Sequence, residues 1–343
     1  MSTIAKMPAL LLAWYDRHHR EMPWRVAPAA QAGGQRADPY HVWLSEVMLQ
    51  QTTVAAASGY FRAFLRAWPD VHALAAAPVE DVLAAWAGLG YYARARNLHK
   101  CARIVSQERG GAFPETEAGL RDLPGIGAYT AAAVAAIAFD RPATVVDGNV
   151  ERVMARVFAV TEPLPGAKPR LTELAASLTP QARPGDYAQA VMDLGATVCT
   201  PRRPACMVCP WRPDCRAHAE GLAERLPARA PKSAKPVRHG TVFVAEDRAG
   251  NVLVIRRPPK GLLGGMLALP STDWRETPLP ANAPFAADWR ETGAVRHTFT
   301  HFHLRLRVLR AIASPLPGEA MDRDEAESAM PTVFAKALRL AGG

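Results

Sequence analysis

Leu123-Pro124-Gly125-Ile126-Gly127, running straight into the alanine-rich segment AYTAAAVAAIAF at 128–139, decides how the rest of the chain is read. Two glycines one residue apart before a helix let the backbone turn tightly. They also leave unpaired amides at the helix start, where a phosphate can be held without reading base sequence. On its own such a turn joins many packed helices. Further on, Val146-Asp147-Gly148-Asn149-Val150 sets a carboxylate at the start of the next helix, and taken alone Asp147 reads as a simple helix cap.

Outward from these two words, residues 1–226 are alanine-rich with apolar positions recurring at three and four, which predicts helices throughout. Asp38 before Pro39 caps a helix predicted over 40–66, and Pro78 with Glu80 and Asp81 opens another near Val82–Trp86. The polar stretch PAAQAGGQR at 28–36 reads as a surface loop. From Arg225 to Arg238 there are three prolines, five basic residues and no acid, the profile of an extended tether. Beyond it the period changes to two. Thr241–Glu246, a turn through Asp247–Asn251 and Val252–Arg257 read as a hairpin, and Phe302, Leu304, Leu306 and Val308 alternate with His303, Arg305 and Arg307. The last hundred or so residues are therefore expected to be α+β.

At 343 residues with 49% apolar and 21% charged side chains, the chain is expected to form two or three domains with real cores. Its 41 basic and 32 acidic residues leave a formal charge of +9, which favours a polyanionic partner. No apolar run is long enough to span a bilayer, and the start has neither a cationic lead nor a cleavage site, so a cytoplasmic address is expected. Cys101 stands alone, whereas Cys199, Cys206, Cys209 and Cys215 form C-x6-C-x2-C-x5-C. Four thiolates on so short a loop indicate a metal centre, and by count the set accepts a four-iron cluster or a zinc ion. Arg202, Arg203, Arg212 and Arg216 surround it and can face a phosphate backbone.

Tyr40–Thr52 reads as helix, with Glu46 on one stripe with Val42, Leu49 and Thr53. By pattern alone that carboxylate is the edge of an apolar face. Together, L-P-G-I-G, V-D-G-N-V and the cysteine loop resemble, in order and spacing, the helix-hairpin-helix DNA glycosylases of the endonuclease III superfamily. WLSEVMLQQT at 43–52, with Pro23-Trp24-Arg25 upstream and GLGYYARARNL at 88–98 downstream, closely resembles adenine DNA glycosylases of the MutY type. The resemblance runs through essentially the whole chain.

It implies a multidomain protein: an all-α glycosylase domain at 1–226, a linker at 227–238 and an α+β Nudix-like domain at 239–343. Within the first, residues 25–140 would form a helical barrel carrying the hairpin, and 1–24 with 141–226 an iron-sulfur subdomain with one [4Fe-4S] cluster. Glu46 would protonate N7 of a flipped adenine and Asp147 would stabilise the cationic sugar, supported by Tyr129 and Asn149. Trp24, Arg25, Leu49 and Gln189 would line the base pocket. Gln51 and Tyr91 would wedge into the duplex, held by the Leu123, Gly125 and Gly127 hairpin. Bifunctional relatives carry a lysine two residues after the second hairpin glycine; here that slot is Tyr129, which implies no strong lyase activity. The implied partner of this monomer is double-stranded DNA with adenine opposite 8-oxoguanine or guanine. Phe299-Thr300-His301 stands where the family has F-S-H for reading the oxidised base. No glutamate-rich Nudix signature surrounds 261–266, so binding rather than hydrolysis is expected there. Two alternatives remain: a thymine or other mismatch glycosylase on this scaffold, and a non-catalytic iron-sulfur DNA-binding module.

Overall fold

The computed structural model describes residues 3–231, 234–258 and 261–342, so Lys232 and Ser233 of the expected tether lie outside the described residues. The chain divides into two compact units, Met1–Ala230 and Pro231–Gly343. Among the described residues no helix is long and apolar enough to cross a membrane.

The first unit is helical: α1 (Thr3–His18), α2 (Pro28–Ala32), α3 (Pro39–Leu49), α4 (Val54–Ala67), α5 (Val71–Ala76), α6 (Val79–Ala85), α7 (Ala93–Glu108), α8 (Glu117–Arg121), α9 (Ala128–Phe139), α10 (Gly148–Val157), α11 (Lys168–Leu178), α12 (Pro184–Thr197) and the short α13 (Arg216–Ala219). It has two cores. One gathers Trp24, Trp43, Phe61, Phe64 and Trp86 around the alanines of α9; the other joins Leu11 and Tyr15 of α1 to α10, α11, α12 and Trp211. Because seven of the twelve residues of α9 are alanine, neighbours approach it closely, and its residues 130–136 are buried without exception. That central rod is flanked by α3 and α12.

Two expectations fail here. The helix expected over 40–66 is two helices, with Gln51 in left-handed backbone at φ 59°. The Thr53 side chain accepts a hydrogen bond from the Ala56 amide at 3.3 Å, starting α4 afresh, so Thr53 does not share a helical stripe with Glu46. The stretch expected as loop at 28–36 contains α2, nucleated by Pro28 at its first turn and ended at Gly33.

The second unit is a mixed five-stranded sheet of order β5-β6-β1-β2-β7, from β1 (Val237–Glu246), β2 (Asn251–Leu253), β5 (Arg290–Thr298), β6 (His303–Ile312) and β7 (Ala320–Asp322). The central β1–β6 pair is parallel and in register from Val237↔His303 to Glu246↔Ile312; the other pairs are antiparallel. The expected second hairpin strand is broken: β2 ends at Leu253, and β3 (Ile255–Arg256) pairs with β4 (Leu267–Ala268) in a separate ribbon. Alternation along β6 puts Leu304, Leu306 and Val308 into the core, where Phe334 and Leu338 of α15 (Thr332–Gly342) cover them; α14 (Arg323–Ala329) precedes it.

Candidate active site

Glu46 is the buried carboxylate of α3, 5% exposed, in a cleft wall it shares with Val42 and Leu49. Burial in this apolar wall raises its pKa from 4.5 to about 7, with Asp147 pushing the same way and the Tyr129 hydroxyl and Arg25 guanidinium opposing. Its Oε2 has no hydrogen-bond partner. An unsatisfied carboxyl oxygen deep in a wall is costly unless a ligand completes it.

Asp147 sits opposite in chemistry. It caps α10, and its carboxylate accepts from the Asn149 amide at 2.9 Å, the Val150 amide at 2.8 Å and Asn149 Nδ2 at 2.7 Å. Three donors at a helix amino terminus fix this carboxylate in place. Asn149 is held in turn by Arg152, whose Nη2 donates to Asn149 Oδ1 at 2.8 Å. Helix α12 packs against this start at Gly195, where a Cβ would stand 2.6 Å from Asn149 Cβ.

Glu46, Asp147, Tyr129, Asn149, Trp24, Arg25, Leu49 and Gln189 all line one cleft of about 520 Å³. Tyr129 enters from the first turn of α9, and its hydroxyl donates to Met192 Sδ at 3.6 Å. Arg25 reaches the cleft with Nη1 donating to the buried Asp193 at 2.7 Å. Its walls mix apolar side chains (Trp24, Val42, Leu49, Ile137, Val146) with charged and polar ones in comparable number.

The same cleft is lined by Arg20, Ser45, Gln50, Thr52, Glu151 and Lys168, which the sequence reading did not single out. Gln51 and Tyr91 are not among its lining residues. Both stand outside it in left-handed backbone, φ 59° and 50°, and Tyr91 is 55% exposed. Arg94 ties their two turns together. Its Nη1 donates to the carbonyls of Val47 at 2.9 Å and Gln50 at 2.6 Å, and its Nη2 to that of Leu89 at 2.9 Å. The signal for Arg94 was within GLGYYARARNL: it is the second residue of α7, within reach of the carbonyls at the end of α3 and in the turn before α7.

In the hairpin, Gly125 takes φ 79°, a conformation few residues other than glycine adopt, while Gly127 is extended and caps α9 with open space where a Cβ would stand. Both glycines are exposed. Leu123 is buried in the core, so it anchors the turn from beneath.

Cys199, Cys206, Cys209 and Cys215 line one small cavity walled by Val153, Val157, Leu194, Val198 and Trp211. Arg156 Nη1 donates to Cys199 Sγ at 3.3 Å, and burial pushes the Cys209 thiol up to about 12. Four sulfurs facing one apolar cavity, with a guanidinium on one of them, fit thiolate ligation of a metal cluster. Among the described residues no group of three His, Cys, Asp or Glu side chains is gathered as a single metal ion requires. Arg202, Arg203, Arg212 and Arg216 are exposed around the loop.

In the second unit Phe299, Thr300 and His301 form the turn between β5 and β6. Phe299 stacks on Phe302 at 4.8 Å and packs near Trp274 at 5.7 Å, while Thr300 and His301 are exposed at the tip. An aromatic base thus fixes a polar tip.

Residues 44–179 match the family described as HhH-GPD superfamily base excision DNA repair protein, and residues 241–340 match a NUDIX domain. The human protein named adenine DNA glycosylase is 38% identical over 87% of this chain and 65% of its own length. The mouse protein of that name is 38% identical over 87% of this chain and 69% of its own length. That of Mycolicibacterium smegmatis is 40% identical over 65% and 73%. The chain therefore spans about two thirds of the mammalian relatives. A solved thermostable thymine-DNA glycosylase is 29% identical with a TM-score of 0.56, covering 63% of this chain and 97% of that one. An endonuclease III bound to DNA, 22% identical with a TM-score of 0.52 over 65% and 99%, shares the fold. With both halves matched in order and more than two thirds of the mouse and mycobacterial proteins covered at this identity, the chain belongs to the adenine DNA glycosylase family of helix-hairpin-helix base excision repair proteins.

Proposed function

We propose that this chain is a monofunctional adenine DNA glycosylase that excises adenine mispaired with 8-oxoguanine or guanine in double-stranded DNA, acting as a monomer on chromosomal DNA in the cytoplasm. The observation that carries the reading is the single cleft in which a desolvated Glu46, with one oxygen unpartnered, and a donor-rich Asp147 both stand. Cleaving an N-glycosidic bond needs an acid for the leaving base and an anion for the cationic sugar, and environments that separate two carboxyl groups supply both. Glu46, protonated in part at neutral pH, donates to N7 of the flipped adenine. Asp147, its carboxylate fixed by three donors, stabilises the sugar cation, with Asn149 and Tyr129 fixing its surroundings. Trp24, Arg25, Leu49 and Gln189 enclose the base.

Flipping costs a few kcal/mol in pairing and stacking, which Gln51 and Tyr91, projecting from exposed turns, offset by entering the gap. The open space at Gly127, beside the exposed Gly125, accepts a phosphate. Tyr129 in the hairpin slot has no amine, so strand cleavage through an imine is not supported there. Phe299, Thr300 and His301 read the oxidised base opposite. Cys199, Cys206, Cys209 and Cys215 would hold one [4Fe-4S] cluster, which when bound clamps the arginine-bearing loop to α10 and α12.

The test is a duplex with one adenine opposite 8-oxoguanine, incubated with protein and then treated with alkali. Cleavage at that adenine supports the reading; cleavage elsewhere points to a different mismatch glycosylase, and none at all to a binding module.

A further inference from the structure

Behind the cleft wall lies a buried carboxylate that the chemistry above does not use. Asp193 of α12 is fully buried and is not among the residues lining the cleft. It accepts from Arg20 Nε at 2.6 Å, from the Arg20 amide at 2.9 Å and from Arg25 Nη1 at 2.7 Å. One carboxylate thus serves two guanidiniums, of which Arg25 reaches the cleft near Glu46 and Arg20 is partly exposed. Helix α12 also carries Gln189 and Met192 into that cleft, so Asp193 fixes Arg25 to the same rod that shapes the base pocket.

We propose that Asp193 is a positioning residue for the reaction: by pinning Arg20 and Arg25 and cancelling one of their charges, it keeps Arg25 from drawing Glu46 into the ionised form. This rests on the reading of Glu46 as the acid. The groups that act on Glu46 are Arg25 from the segment after α1, Tyr129 from α9 and Asp147 from the start of α10. Those acting on Arg25 are Asp193, Tyr15 of α1 and Glu46. Of all these, Asp193 is the anion bonded directly to Arg25. Without it two guanidiniums stand unbalanced beside the acid, and a nearby positive charge favours the carboxylate. Removing Arg20 instead leaves Asp193 to neutralise Arg25 alone, with the opposite effect.

The test compares the whole protein with Asp193→Asn and Arg20→Gln. Single-turnover adenine release is followed from about pH 5.5 to about 8.5, spanning both protonation states of the acid. In the same proteins the Glu46 carboxyl is titrated by carbon-13 NMR, its signal assigned with Glu46→Gln. For Asp193→Asn, the Glu46 midpoint and the alkaline limb of the rate both move down by about one pH unit, so release falls several-fold above neutrality and recovers in acid. For Arg20→Gln both move up. An equal loss of rate at every pH with the Glu46 midpoint unmoved overturns the proposal. If Asp193→Asn does not fold, Arg20→Gln decides: an unmoved or lowered midpoint overturns it. Should the unaltered protein release no adenine, the glycosylase reading fails by itself, and the NMR midpoints still judge Asp193.

Discussion

Replacing Glu46 with glutamine separates the cost of this residue from its use. The carboxyl is buried, and its pKa rises from 4.5 to about 7 on folding. The folded state therefore holds a proton that the unfolded chain releases between those values, and stability falls as pH rises through that window. A shift of this size corresponds to about 3 kcal/mol, fully present as stability below pH 4.5 and lost above pH 7. Glutamine has the same shape and does not ionise. The variant should therefore unfold at nearly the same temperature as the parent in acid and at a higher temperature in alkali, by roughly 5–10 °C for a unit of this size. Circular dichroism melts of both proteins at mildly acidic and mildly alkaline pH measure the difference, since all other titrating groups cancel between them. The same variant should lose adenine release by roughly 10²- to 10⁴-fold, the usual worth of a general acid. A melting difference that does not change with pH refutes the account of Glu46 as a desolvated acid, whatever happens to the rate.

Asp147→Asn keeps an oxygen that caps α10 but removes the charge; adenine release should collapse while the melting temperature changes by the equivalent of less than about 1 kcal/mol, and intact release would remove Asp147 from the reaction. Cys206→Ser should abolish the brown colour and broad visible absorption expected of the purified protein and lower its stability, whereas a parent protein that is colourless and zinc-loaded rules out the iron cluster. Arg94→Ala strips donors from the carbonyls of Val47, Gln50 and Leu89, and should cost about 2–4 kcal/mol in urea melts; a neutral result would mean the two turns are held by other contacts. Ending the chain at residue 230 should preserve some adenine release while lowering the preference for 8-oxoguanine over guanine opposite, and an unchanged preference counts against Phe299, Thr300 and His301 as its readers.

The parts legible beforehand were those in which local chemistry and tertiary structure agree. Gly125 needed its positive φ, Asp147 capped the helix that its position announced, and the alternation from Leu304 to Val308 became the buried face of β6. The break after α3 was hidden because Gln50, Gln51 and Thr52 include no glycine or proline; it is enforced by Arg94 from α7, a partner more than 40 residues away. Parallel pairing of β1 with β6 was equally hidden, since alternation fixes which face is buried and not which neighbour a strand takes. Asp193 escaped notice for a different reason. A lone aspartate within a helix pattern signals solvent, and only the return of Arg20 and Arg25 from the chain's beginning makes its interior position tenable.

The left-handed backbone at Gln51 and Tyr91 has a consequence for anyone improving this protein's robustness. Glycine would occupy either spot more cheaply, by about 1 kcal/mol for a residue held at such φ. A library screened only for heat resistance is therefore drawn to these two positions. It would return well-behaved molecules blunted at the tips proposed to pry the helix of DNA apart, so any such selection has to be coupled to turnover on damaged duplex from its first round.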